Sequence, residues 1–207
     1  MKTLIITGGD LIFSDGYALT ADYVICCDSG LRHAQILGMR PDVIVGDFDS
    51  VAPELLARYE QQGVPVVRYP AEKDYTDTEL GISLALEKRA EELVIIGAGG
   101  SRFDHVLANV QCLVRLLPFK IDAKILHAGQ IISLLDGVRV FEGEIGKVIS
   151  LMPITWEVTG VCTKGLKYRL ANETLFLGQA RGVSNVFTEK TAEVRVGEGV
   201  LCVVRER

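Results

Sequence analysis

Two rhythms of apolar and polar residues divide the chain. Through the first two thirds, short runs rich in β-branched residues alternate with longer amphipathic stretches. The segments 3–7, 23–27, 43–45, 64–68, 93–97 and 123–127 are largely apolar throughout, as strands buried on both faces require. Between them, 30–37, 53–62, 76–89 and 103–116 carry helical spacing, and in the last of these Val106, Leu107, Val110, Leu113, Val114 and Leu117 fall on one broad face. Strands alternating with helices in this way predict βαβ units around a mainly parallel sheet. After about residue 129 the period shortens. The runs 131–135, 138–141, 148–152, 193–196 and 201–204 are separated by glycine-containing turns, and Asp136-Gly137 between two of them is a hairpin signal. The expected architecture is an α/β N-terminal domain, residues 1–128, followed by a small all-β, sandwich-like C-terminal domain, residues 129–207.

Composition narrows the setting. The chain has 207 residues, 48% hydrophobic and 24% charged, enough to bury a substantial core. A net charge of -5 argues against a nucleic-acid binder, which would present a basic face. The five cysteines are odd in number, scattered through apolar runs such as Val24-Ile25-Cys26-Cys27, and form no CxxC pair. They read as buried thiols in a reducing compartment rather than as a zinc site or redox pair. The apolar run at the N-terminus is too short for a signal-peptide core, and no later run approaches the ~20 residues of a membrane span. A cytoplasmic protein is expected.

The candidate chemistry lies in the acidic loops that follow the predicted strands: Asp28-Ser29-Gly30, Gly46-Asp47-Phe48-Asp49-Ser50, Lys73-Asp74-Tyr75-Thr76-Asp77 and Arg102-Phe103-Asp104-His105. In a parallel sheet such loops converge at the strands' carboxyl ends, where ligands bind. Carboxylates gathered there raise one another's pKa unless a cation neutralises them. Asp47 and Asp49, two apart, point the same way if the segment is extended, with Phe48 turned into the core. Hard oxygen ligands without a His or Cys cluster favour Mg²⁺ over zinc. Thr76 and Glu79 have the spacing of a capping box, and Asp77 sits in the same first turn, where an acid is favourable in any case.

Gly97-Ala98-Gly99-Gly100-Ser101-Arg102 joins a predicted strand to a predicted helix. Arg102 stands where a dinucleotide fingerprint needs its third glycine, so that match fails. The turn still offers backbone N–H groups at Gly99 and Gly100 to a phosphate, with a charge-assisted contact from Arg102. His105 is placed to touch a nucleotide or to order a carboxylate. His33 and His127 read as structural or surface groups.

Together these segments resemble the thiamine pyrophosphokinase family over nearly the whole chain. The resemblance rests on Asp28-Ser29-Gly30, Arg40-Pro41-Asp42 leading into Gly46-Asp47-Phe48-Asp49-Ser50, the segment from Lys73 to Glu79, and Gly99-Gly100-Ser101-Arg102-Phe103-Asp104-His105 with Asn109. It continues through Gly165-Leu166-Lys167-Tyr168-Arg169-Leu170 and Gly182-Val183-Ser184-Asn185, in the family's order. The resemblance implies a homodimer that transfers pyrophosphate from ATP to the hydroxyl of thiamine, giving thiamine diphosphate and AMP, with sites at the dimer interface. It implies metal and pyrophosphate positions at Asp47, Asp49 and Asp77, and further ATP-side positions at Asp28, Lys73, Thr76 and Asp104. Ser184 and Asn185 then fall in a thiamine-contacting loop, joined by Tyr168, which stands where many members carry Trp.

The residues suit such chemistry. Attack by an alcohol on a phosphorus of ATP needs charge neutralisation and positioning rather than a covalent intermediate. Asp74 or Asp77 is the candidate proton acceptor. A pyrophosphokinase for a hydroxymethyl-dihydropterin, a metal-dependent nucleotide phosphohydrolase and a non-catalytic nucleotide-binding regulator use overlapping residue sets and stay open.

Overall fold

The computed structural model describes residues 1–12, 19–72 and 74–207. The chain divides into two compact units, Met1–Cys112 with Phe119–Ala128, and Leu113–Pro118 with Gly129–Arg207.

In the first unit the apolar runs form parallel strands β1 (Lys2–Ile6), β2 (Tyr23–Cys27), β3 (Val43–Gly46), β4 (Val66–Arg68), β5 (Glu92–Ile96) and β6 (Asp122–His127). Their order across the sheet is β4-β3-β2-β1-β5-β6, every neighbouring pair parallel. The chain builds outward from β1 to β4, then returns to place β5 on the free side of β1. The order therefore reverses between β1 and β5, and such a switch point opens a crevice at the strands' carboxyl ends. Leu4, Ile5, Ile6, Ile25, Ile44, Leu93, Ile95 and Ile96 are all sealed from solvent, as strands covered on both faces should be.

Helices α1 (Leu31–Ile36), α2 (Pro53–Gln61), α3 (Asp77–Glu87) and α4 (Phe103–Cys112) lie between the strands. α3 begins with the expected capping box: Thr76 N donates to Glu79 Oε2 at 2.8 Å, and Glu79 N donates to Thr76 Oγ1 at 3.3 Å. Gly81 lets this helix lie close on the sheet, since a Cβ there would sit 2.7 Å from Cys27 Sγ. β4 starts two residues later than its apolar run because Val64 N turns back to Tyr59 O to close α2. The predicted long helix also divides. After Cys112 the chain tightens into a 3-10 turn, Leu113–Phe119, containing Pro118. Its predicted apolar face is only partly used: Leu113 is buried, while Leu107 and Val114 are exposed.

The second unit is all-β. One antiparallel layer orders β7 (Gln130–Leu135), β14 (Leu201–Glu206), β9 (Val148–Pro153) and β12 (Asn185–Val186); the other, a four-stranded sheet, orders β11 (Ala171–Phe176), β10 (Glu157–Lys164), β13 (Thr191–Arg195) and β8 (Val138–Glu142). Inward residues of both sheets, among them Leu135, Ile149, Leu151 and Val203 against Phe141, Val158, Leu175 and Val194, form one buried core. This is the packing of a sandwich. Strands β10, β11 and β12 lie outside the strands expected from the pattern. β10 is interrupted at Gly160 (φ 65°), where its register against β11 shifts, and β11 is mostly polar outside Leu175. A bulged strand paired with a polar one erases the alternation that a pattern search reads. Among the described residues no helix is long and apolar enough to cross a membrane.

Replacing Thr76 by Ala removes the N-cap of α3 and is expected to lower stability by about 1 kcal/mol. An unchanged urea midpoint would show that the cap contributes nothing.

Candidate active site

The acidic loops meet where the sheet predicts. Asp28 leaves β2 in a 3-10 turn with φ 43° and is 7% exposed. From the end of β3, Gly46 passes so close that a Cβ on it would lie 3.1 Å from Asp28 Cβ. One carboxylate oxygen each from Asp28, Asp47 and Asp49 lie within 4.8 Å of one another. The route by which Asp47 and Asp49 converge differs from the expected one. Phe48 is not extended but left-handed, φ 65°, and Asp49 N donates back to Asp47 Oδ1 at 3.2 Å. The loop thus closes on itself, with the Phe48 ring buried as expected and the Arg68 guanidinium 5.2 Å from its centroid. Two non-glycine residues in the left-handed region within one site mark local backbone strain.

Electrostatics point the same way. Burial pushes the Asp28 carboxyl above its usual range; the Ser29 N–H opposes this, and Asp77, Asp47 and Asp49 add to it. Its Oδ1 is buried without a hydrogen-bond partner. An orphaned carboxylate oxygen inside a cluster of three acids fits a hard divalent cation. The expected metal set was Asp47, Asp49 and Asp77. The structure groups Asp28 with Asp47 and Asp49, while Asp77 opens α3 beside them in the same cleft.

The other wall comes from the switch point. Gly9 N donates to Gly97 O and Asp10 N to Gly99 O, each at 2.7 Å, binding the loop after β1 to the loop after β5. Only glycine fits at Gly9, where a Cβ would meet Gly99 O at 2.2 Å, and at Gly99, where it would strike the His127 ring at 2.3 Å. Asn109 of α4, buried, donates to Ala98 O at 2.9 Å, and the His33 ring pairs with Thr7 O at 2.9 Å. The two walls enclose an open cleft of about 540 Å³.

Asp28, Asp47, Asp49, Thr76, Asp77, Gly99, Gly100, Arg102 and His105 all line this cleft. The Thr76 hydroxyl is also engaged as the α3 cap. Asp74 is exposed and stands outside the lining, and Lys73 lies outside the described residues. Asp104 is exposed and outside the lining too, but grips the residue that is inside it: Arg102 Nη2 donates to Asp104 Oδ2 at 2.6 Å and Nε to Oδ1 at 3.3 Å. This fork holds the Asp104 carboxyl below its usual range and raises the guanidinium. Gly8, Gly9 and Asp10 were missed as site residues. Their signal was available: they follow the first strand just as the acidic loops follow the next ones.

In the second unit, Ser184 is exposed, left-handed (φ 57°), and fixed through its N–H to Ser150 Oγ at 3.0 Å. Asn185, expected as a ligand group, is buried and braces the loop. Its Oδ1 accepts from Tyr168 N and Val186 N, both at 2.9 Å, and its Nδ2 donates to Tyr168 O at 2.8 Å. Tyr168, thus clamped, borders a small hollow of about 170 Å³ with Arg181, Val183 and Asn185. Ser184 is not part of its lining. The five thiols are all free; Cys26, Cys27 and Cys202 are buried, whereas Cys112 and Cys162 are only partly so.

Fold and cleft define a class: a parallel α/β sheet with a cation-ready acidic cleft at its carboxyl edge, on a chain that also carries an antiparallel sandwich. Family models described as thiamin pyrophosphokinase, catalytic domain, and thiamin pyrophosphokinase, vitamin B1 binding domain, match residues 15–125 and 138–201 respectively. The chain belongs to the thiamin pyrophosphokinase family. It is 29% identical to the thiamine pyrophosphokinase of Bacillus subtilis (strain 168), over 99% of each chain. With thiamine pyrophosphokinase 1 of Oryza sativa subsp. japonica it shares 30% identity, the match covering 75% of this chain and 62% of that protein. The crystal structure of the Bacillus subtilis protein superposes with a TM-score of 0.90 at 27% identity, covering 100% of this chain and 99% of that one. The thiamin pyrophosphokinase from Candida albicans shares the fold, with a TM-score of 0.82 at 20% identity over 100% of this chain and 89% of its own.

Because its folded-state pKa is raised, ionising Asp28 opposes folding. Stability contributed at this position is present below the unfolded pKa of about 4 and is lost as pH rises through the folded value. Asp28→Asn is therefore expected to melt about 2–4 °C above wild type at pH 7 without divalent cation. Mg²⁺ should raise the wild-type midpoint and narrow that gap. Equal melting of the two proteins without Mg²⁺ would contradict this cost of burying an ionised Asp28 beside other carboxylates.

Proposed function

We propose that the chain transfers the pyrophosphoryl group of ATP to the hydroxyl of thiamine, releasing AMP and thiamine diphosphate. The observation that carries this reading is the Asp28, Asp47 and Asp49 cluster at the wall of a glycine-lined cleft, in a chain whose two parts match the catalytic and vitamin B1 binding family models. Residues 1–128 take ATP and metal, and residues 129–207 serve thiamine binding and dimerisation.

Asp28, Asp47 and Asp49 are the residues that hold Mg²⁺, which when bound neutralises the phosphate charge that would repel an incoming oxygen. The Gly99-Gly100 turn and Arg102 hold the nucleotide, with His105 on the same wall. In the transfer, an oxygen–phosphorus bond forms between the thiamine hydroxyl and the β-phosphorus. The bond from that phosphorus to the α-phosphate bridging oxygen breaks, and AMP departs. Of the two candidate proton acceptors, Asp77 lines the cleft and Asp74 does not, so Asp77 takes the hydroxyl proton. Ser184 and Tyr168 select thiamine. The five free thiols support a reducing, cytoplasmic setting.

Mixing the protein with Mg²⁺, ATP and thiamine, a pterin alcohol or no acceptor should yield AMP with thiamine alone. Phosphate or ADP without acceptor would favour a phosphohydrolase, and AMP with the pterin alone would replace the acceptor. Asp49→Ala is expected to reduce turnover at least about 10³-fold with the fold retained, as loss of a metal ligand should. Ser184→Ala should raise KM for thiamine several-fold and leave that for ATP unchanged; an unaltered thiamine KM would remove Ser184 from the site.

The protein acts as a homodimer in this reading. Phe103 and Leu107, one turn apart on α4, are 74% and 46% exposed, an apolar row that supports coverage by a second copy. Sedimentation should give twice the chain mass at micromolar concentration, and Phe103→Glu should shift it toward the monomer. A monomeric wild type would end this reading.

A further inference from the structure

The triad and the switch-point crevice make two chemically different ends of one cleft. The triad stands beyond β2 and β3, and the crevice lies between the loops after β1 and β5. Neighbouring strands are about 4.8 Å apart, so the two ends are separated by roughly two strand spacings, about 10 Å. With a polyphosphate on the cation at the triad, the sugar of an extended nucleotide reaches the crevice.

One side chain there is unaccounted for. Asp10 lines the cleft, is exposed, and is pinned by its own N–H to Gly99 O at 2.7 Å. Its carboxylate faces Gly100, whose absent Cβ would lie 3.6 Å from Asp10 Cγ and 3.7 Å from Oδ1. The space that a side chain at position 100 would occupy is thus left open beside an acceptor-only group. A phosphate is the wrong partner for it, because like charges repel. Nor does Asp10 belong to the carboxylate cluster suited to a cation. A vicinal diol matches it: two hydroxyl donors on adjacent carbons meet the two oxygens of one carboxylate in charge-assisted hydrogen bonds.

We propose that Asp10 is the ribose-recognising residue of the cleft, accepting hydrogen bonds from the 2′- and 3′-hydroxyls and selecting ribonucleotides over 2′-deoxyribonucleotides. This rests on the reading of the cleft as an ATP site. Wild-type protein, Asp10→Ala and Asp10→Asn are compared with ATP, 2′-deoxy-ATP and inosine triphosphate, each with Mg²⁺ and thiamine. AMP-type product formation is followed for rate, and calorimetry for binding. Asp10→Ala should raise KM for ATP about tenfold or more and raise that for 2′-deoxy-ATP, which keeps only the 3′-hydroxyl contact, by clearly less, so that discrimination between the two collapses. Asp10→Asn, which keeps one acceptor oxygen, should fall between. KM for thiamine and the melting temperature should not move. Equal losses for ATP and 2′-deoxy-ATP would overturn the assignment. So would a loss confined to ATP against inosine triphosphate, which would place Asp10 on the adenine amino group. Selective ribonucleotide binding by a protein that makes no AMP would sink the pyrophosphokinase reading and leave the ribose contact standing.

Discussion

A carboxylate buried among other carboxylates is the constraint around which the site loops of the first unit are built. Asp28 is buried beside Asp47 and Asp49, with Asp77 near enough to raise its pKa further. Nothing in the chemistry of an apolar sheet favours this arrangement. It persists because backbone geometry over-determines it. Asp28 and Phe48 are both held left-handed, the Phe48 ring is locked into the interior, and Gly46 leaves the room for the two loops to approach. Such strain is tolerated where the surrounding core is strong, and Ile25, Cys26, Ile44 and Val45, directly beneath, are sealed from solvent.

The topology of the sheet then distributes roles. Reversal of strand order beside β1 sets a glycine-lined wall next to an acidic one, and the two backbone bonds from Gly9 and Asp10 to the turn after β5 keep that wall rigid. Rigidity matters because a group that neutralises charge in a transition state is effective only when it need not reorganise. Arg102 illustrates the point. Forked on Asp104, its guanidinium plane is already set, so fewer rotamers would be lost if it held the nucleotide as proposed.

How legible this was in the sequence differs from element to element. The parallel sheet was readable because β-branched runs such as Leu4-Ile5-Ile6 and Val94-Ile95-Ile96 are unbroken, and burial on both faces leaves no other pattern. The capping box was readable because it is local, a contact within four residues. The convergence of Asp47 and Asp49 was readable as a result but not as a geometry, since period-two alternation says nothing of a left-handed Phe48. The grouping of Asp28 with them depends on a non-local approach between two loops that only the packing of β2 on β3 decides. β10 and β11 were invisible for a different reason: a bulge at Gly160 and a polar partner strand leave too little alternation to detect. Asn185 was placed on the thiamine side by resemblance alone, and no local pattern signals that its amide makes three bonds within the fold.

Those three bonds couple two loops of the second unit. Asn185 ties the backbone on both sides of Tyr168, so the loop bearing Tyr168 and the loop bearing Ser184 share one support. A change at Asn185 would therefore loosen both loops at once. If Tyr168 and Ser184 select the acceptor as proposed, their exposed side chains can be exchanged without disturbing the buried amide beneath them.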